Sequence, residues 1–258
     1  MEQLVPVLDA VTVVSVDSWS YDFGNTQLPV KLAEALHARP ARYEYTRLGG
    51  DSPQLNVNKA CLALENGEIR AALIGGVEAT NSVARVGRDP NGPPANWPAR
   101  ASDVINVDAF KSLRGSIMPD YGLLVAMRAY AMIETAIRAR SGRSPEQHAL
   151  HMGQLFERFA KVAEANPLAW SRKPQTAQSL ATPALKTNRM VSYPYTKNLV
   201  AMPTVDQSAC VVLTTVGMAK RLGIHESKWI FPMGGASFVD VEDITERIQL
   251  DESPSVRQ

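Results

Sequence analysis

Residues 49–79 read GGDSPQLNVNKACLALENGEIRAALIGGVEA, and this stretch decides the fold of the 258-residue chain. Ser52 can accept a hydrogen bond from a free amide of a first helical turn. Pro53 suits the first helical position, where its missing N–H would have had no partner. Val57, Cys61 and Leu64 then fall on one helical face, and Asn66-Gly67 ends the helix with a residue that tolerates positive φ. Directly after it, Ile69–Val77 is an apolar run ending in Gly75-Gly76, which reads as a buried strand with close backbone approach. A helix feeding straight into such a strand implies a right-handed crossover in a mostly parallel sheet.

Working outward, Ala10–Val16 is a β-branched run that suits a buried strand, and Leu28, Leu32 and Leu36 recur at helical spacing. Between Val86 and Arg100 four prolines and two glycines predict a surface loop, and an insertion begins there. Tyr121–Arg140 and Pro145–Asn166 are two helical stretches; Leu155, Phe159 and Val162 mark the apolar face of the second, and Pro167 stops it. A polar stretch with Pro174 and Pro183 follows. Ser208–Thr215 then reads as a second buried strand, Val216–Leu222 as a short helix, and Trp229 onward (WIFPMGG) as the start of another strand. The order is β, α, β, a mostly helical insertion of roughly 100 residues, then β and α.

Lys and Arg number 27 against 26 Asp and Glu, so no overall field draws the chain to nucleic acid or an anionic membrane. Two cysteines, Cys61 and Cys210, give neither a disulfide framework nor metal-ligand spacing, and each reads as a buried structural residue. The N-terminus lacks the basic start and apolar core of a signal peptide, and no window approaches the roughly 20 apolar residues of a membrane span. A soluble, cytoplasmic protein is expected, and one that continues past Gln258. His148 and His151 stand three apart on the second insertion helix without a third ligand, so solvated helix histidines are expected and no metal site. His37 and His225 have no neighbours that propose a role.

Three stretches together resemble the thiolase superfamily: Gly67-Glu68 after the helix, Gly75-Gly76-Val77-Glu78-Ala79 closing the strand, and Tyr195-Thr196-Lys197 through Val205-Asp206-Gln207-Ser208-Ala209-Cys210-Val211-Val212-Leu213 after the insertion. Their order and separation carry the resemblance over roughly residues 10–240. It is similar to a divergent acetyl-CoA acetyltransferase branch whose nucleophile segment reads as Gly49–Gln54 does here. The implied architecture is a thiolase-like α/β fold, a mostly parallel sheet layered with helices, with a mostly helical inserted loop domain and the C-terminal half missing. The implied domains are 1–86 and 195–228 for the thiolase N-terminal half, 87–194 for the loop domain, and 229–258 for the start of the C-terminal half.

In that family a cysteine at a helix N-terminus accepts the acyl group, because free amides and the macrodipole favour its thiolate. The family's spacing from Gly67 places Gly50 at that position, with no side chain to acylate. Asp51, Ser52 and Gln54 are the implied pocket floor; Ser52 also reads as a helix cap, and the charge of Asp51 would repel a thioester enolate. The family's activating histidine and second cysteine lie in its C-terminal half, and no Asn-Glu-x-x-x or Cys-x-Gly motif occurs here. By the same resemblance Tyr130, Arg189, Tyr195 and Lys197 line the channel for coenzyme A, with Arg189 and Lys197 facing its phosphates.

The resemblance thus implies an acyl-CoA acyltransferase of lipid metabolism, impaired at Gly50. The alternative is a non-catalytic coenzyme A or acyl-CoA binding module, or a partner subunit of a catalytic thiolase. No tightly bound cofactor is expected. Coenzyme A or an acyl-CoA is the ligand, and the partner is a second copy through the strand near Arg42–Leu48, or a thiolase-type or lipid-transfer protein.

Overall fold

The computed structural model describes residues 4–14, 28–46, 49–86, 116–202, 204–238 and 240–254. The expected proline-rich loop from residue 87 on, residues 15 and 16 of the first expected strand, and residues 47, 48 and 203 lie outside the described residues. The chain divides into two compact units, one of residues up to 111 with 203–237, the other of 112–202 with 238 onward.

The first unit holds β1 (Ala10–Val13), α1 (Leu28–Ala35), β2 (Arg42–Tyr45), α2 (Ser52–Glu65), β3 (Ala71–Ala79), α3 (Thr80–Val86), β6 (Asp206–Thr214) and α7 (Val216–Arg221). Its sheet runs β2-β1-β3-β6, with β1 parallel to both β2 and β3, and β6 antiparallel to β3. Alternate residues of β3 point to opposite faces. Ala71 and Leu73 pack with Val11 and Ala33 of α1, while Ala72 and Ile74 pack with Val14 and Ala60 of α2. The short apolar run of β3 thus fills two cores at once, which is why it reads as continuously hydrophobic.

The ends of α2 follow from local chemistry. Gly67 has φ +70°, and the Gly67 and Glu68 amides donate to Leu64 O (3.1 Å) and Ala63 O (2.9 Å), closing the helix as Asn66-Gly67 predicts. At the other end the cap shifts by one residue: Asp51 occupies the N-cap position, and Ser52 is the first helical residue, buried at 1% exposure.

Two carboxylates fasten the sheet. Asp9 accepts from Arg70 through the backbone amide (2.7 Å), Nε (2.9 Å) and Nη2 (2.7 Å), tying the start of β1 to that of β3. Asp206 reaches from β6 to the first turn of α3, accepting from the Ser82 amide, the Ser82 hydroxyl and Asn81 Nδ2, each at 2.9 Å. These bonds hold both carboxyls below the usual carboxylate range, Asp9 chiefly through the Arg70 guanidinium and Asp206 chiefly through Asn81. Both bind a proton less tightly folded than unfolded, so their stabilisation is complete above about pH 5 and fades as pH falls below about 4. Asp206→Asn is expected to cost about 1–2 kcal/mol at pH 7. Urea midpoints should fall on acidification in the wild type and change less in Asp9→Asn and Asp206→Asn; parallel pH curves for all three would refute the assignment.

Two expectations are corrected in this unit. Ser208–Thr215 was expected to be a buried strand, yet Gln207–Val211 are exposed, because β6 is the sheet's edge and an apolar run alone does not distinguish edge from centre. Trp229–Gly235 forms no strand: Ile230 and Met233 are 92% and 96% exposed, and Pro232 offers no amide for a ladder.

The second unit holds α4 (Ala126–Ser141), α5 (Pro145–Ala165), α6 (Ala177–Ala181) and a hairpin of β4 (Met190–Ser192) with β5 (Tyr195–Thr196). Helix α5 starts in a capping box, Ser144 and Gln147 each bonding the other's amide. Its Gly153 is buried against the Ala177 backbone of α6. Met152, Leu180 and Leu199 form the local core, with Tyr195 packed on it. Asn188, 3% exposed, donates to the Ser179, Leu180 and Thr182 carbonyls and accepts from the Asn198 amide, pinning the hairpin to α6. The apolar face expected along α5 is buried only in its first half: Leu155, Phe159 and Val162 are exposed.

Candidate functional site

The head of α2 is built on a tight turn. The Ser52 amide donates to Gly49 O at 3.1 Å, and a side chain at residue 49 would meet Asp51 Oδ1 at 2.6 Å and Ser52 Oγ at 3.2 Å. A side chain at residue 49 would therefore have to displace the Asp51 carboxylate. Gly50 differs: it is exposed, nothing among the described residues lies within 4 Å of where its Cβ would be, and its φ is not positive. A side chain fits at residue 50, and the sequence supplies none. Asp51 brings a negative charge beside the helix start. Gln54 is engaged along the helix surface, its Nε2 donating to Asn58 Oδ1 at 2.9 Å, and Asn58 Nδ2 reaches Ala236 O at 3.3 Å.

Both cysteines depart from the buried placement expected of them. Cys210 is exposed, facing Gly75 across the β3–β6 pair, where a Cβ on Gly75 would come within 3.3 Å of the Cys210 Cβ. Cys61 is half-buried and lines an apolar cavity of about 300 Å³ with Leu64, Val212, Val216, Trp229 and Phe231. It stands more than two turns into α2, away from the amide end that would stabilise a thiolate.

In the second unit the structure brings the four residues expected to face coenzyme A into two neighbouring pairs. Arg189 and Lys197 flank the hairpin, joined by the Lys197 amide donating to Arg189 O at 2.9 Å. Both side chains are exposed, and neither makes an ion pair among the described residues. Tyr130 is 60% exposed on α4, and the Tyr195 hydroxyl lies 3.4 Å from the Tyr130 carbonyl. Tyr193 adds a third aromatic ring, 52% exposed. Cations without an ion pair among the described residues, on a hairpin that also carries tyrosine rings, offer groups that can meet phosphates and a flat base.

The sequence reading missed what stands beneath Tyr195. Its hydroxyl donates to Glu134 Oε2 at 2.9 Å, and the other carboxylate oxygen of Glu134 lies 2.8 Å from His148 Nε2. Burial, reinforced by the bond to Glu134, raises the Tyr195 phenol well above its ordinary pKa and keeps it a donor. His148 is 1% exposed, which corrects the expectation of a solvated histidine; His151 is exposed, as expected. The available signal was Glu134 four residues after Tyr130, on the same face of α4. Among the described residues no group of three or more His, Cys, Asp or Glu is placed to hold a metal ion, and no helix is long and apolar enough to cross a membrane.

No protein-family model matches the chain, and no curated protein does. Among solved structures it is similar to a monomeric SCP2-thiolase like protein type 1 from Mycobacterium smegmatis, with a TM-score of 0.74 and 26% identity over 98% of this chain and 46% of that one. It is also similar to the Ltp2-ChsH2(DUF35) aldolase (TM-score 0.57, 15% identity, 83% of this chain and 46% of that one). A third is the dimeric peroxisomal thiolase of Saccharomyces cerevisiae (TM-score 0.51, 16% identity, 84% and 54%). The last two show the fold alone. With the mixed sheet of the first unit, these likenesses make the chain an α/β protein of the thiolase fold. It is a divergent member of the thiolase superfamily. It spans about half the length of the solved structures it resembles, 46% of the first.

Proposed function

We propose that this chain binds coenzyme A or an acyl-CoA through the Arg189–Lys197 hairpin and the neighbouring Tyr130 and Tyr195, and that it forms no acyl-enzyme of its own. The observation that carries the second half is Gly50, an exposed position with room for a side chain and no atom able to attack a thioester. Asp51 reinforces it, since a carboxylate beside the helix start opposes the negative charge that a thiolate or an enolate would place there. The unpaired cations of the hairpin support the binding half, because a guanidinium and an ammonium meet phosphate oxygens with charge-assisted bonds.

Calorimetric titration of the chain with coenzyme A and acetyl-CoA tests this reading. Saturable heat with both ligands is expected, and the absence of heat with either removes the binding half.

A second reading keeps acyl-transfer chemistry of the acetyl-CoA acetyltransferase class, in lipid metabolism, with a partner polypeptide completing the site. What favours it is the edge of the sheet: among the described residues β2 is an edge strand with Arg42, Tyr43 and Glu44 exposed, a surface that suits a second copy or a thiolase-type partner. Acetyl transfer that appears only when a complementary thiolase half is added would support this reading. A strictly monomeric chain that stays inactive with the added half would end it.

A further inference from the structure

His148, Glu134 and Tyr195 form one hydrogen-bonded chain from the interior of the second unit to its candidate ligand face, and stability alone does not explain it. The Glu134 carboxylate has one oxygen facing the Tyr195 hydroxyl at 2.9 Å and the other facing His148 Nε2 at 2.8 Å. An ionised carboxylate only accepts, so a neutral His148 carries its proton on Nε2. Its Nδ1 is then a bare acceptor in a side chain 1% exposed, and among the described residues it has no hydrogen-bond partner. A leucine or methionine would fill a similar volume without an unmet polar atom, so packing favours an apolar residue here. Tyr195 belongs to the same hairpin as Lys197, sits against the Met152, Leu180 and Leu199 core, and approaches the Tyr130 carbonyl. Its side chain thus touches both the interior core and the candidate ligand face.

We propose that His148 is a positioning residue: by holding Glu134 it fixes where the Tyr195 ring and hydroxyl stand, and it serves the affinity of the face for a coenzyme A-type ligand rather than the stability of the fold. The inference rests on the coenzyme A reading given above. Tyr195 is held as a neutral donor by its burial and by Glu134. A protein that loses His148 therefore loses the anchor of that donor and keeps its packing.

The test uses the full chain as wild type, His148→Leu and His148→Gln, followed by coenzyme A calorimetry, thermal melting, and NMR of ¹³C-labelled tyrosine rings through an alkaline titration. His148→Leu should bind coenzyme A about tenfold more weakly, the size of one lost hydrogen bond to a charged group, while melting at or above the wild-type temperature. His148→Gln, whose amide can still donate to Glu134, should recover most of the affinity. The Tyr195 ring should titrate last among the tyrosines in the wild type and earlier in His148→Leu. Loss of stability in step with affinity in His148→Leu would reduce His148 to a structural role and overturn the proposal, as would unchanged affinity. If the wild type gives no heat with coenzyme A, the ligand reading falls. The ring titration then decides the positioning chain alone: an earlier Tyr195 in His148→Leu upholds it, and an unmoved one overturns it.

Discussion

Gly153→Val is expected to cost the second unit about 3 kcal/mol. A Cβ on Gly153 would be driven into the Ala177 carbonyl oxygen and stand 3.0 Å from the carbonyl carbon and 3.2 Å from the Ala177 Cα. All three are backbone atoms and cannot swing aside as a side chain can. Helices α5 and α6 must separate, and with them the Met152, Leu180 and Leu199 core on which Tyr195 packs. Gly217→Ala is the matching control, since nothing among the described residues lies within 4 Å of its Cβ position and alanine is the better helix residue. Thermal melts should show Gly153→Val strongly lowered and Gly217→Ala unchanged or raised. Equal melting of the two would mean that α5 and α6 do not pack through Gly153.

The largest expected effect on binding comes from removing both cations of the hairpin. Arg189→Ala with Lys197→Ala should weaken coenzyme A by about a hundredfold, as two charge-assisted contacts of about 1.5 kcal/mol each would give. Wild-type affinity should also fall as salt is raised, because exposed charges are screened over about 8–10 Å at ordinary ionic strength. The double variant should lose most of that salt dependence. Lys220→Ala, on α7 of the first unit, should bind as the wild type does. Full affinity in the double variant would place the ligand elsewhere.

The parts of the fold legible in the sequence are those fixed by local chemistry. Pro53 and Gly67 bracket α2 within a residue, because a missing amide suits a helix start and a left-handed turn suits glycine. Gly75 and Gly76, within β3, mark the close pairing with β6 seen at Gly75 and Cys210. What was misread depends on which elements meet in space. The apolar run of β6 reads the same at an edge as at the centre of a sheet. His148 and Phe159 lie on one helical stripe, yet the histidine is buried and the phenylalanine is not, because α5 is covered only over its first turns. The same limit hid most of the candidate site. Tyr130, Arg189, Tyr195 and Lys197 came from a family pattern, whereas Glu134 and His148, 61 and 47 positions from Tyr195, enter only through packing of α4 and α5 against the hairpin.

The proposed ligand binding rests on exposed cations and aromatic rings, and the proposed lack of an acyl-enzyme on one absent side chain at Gly50. Intact-mass analysis of the purified chain after incubation with acetyl-CoA, at concentrations where calorimetry shows saturation, tests the latter most directly. The account predicts an unmodified mass. An acetyl adduct that maps to Ser52, Cys61 or Cys210 would contradict it.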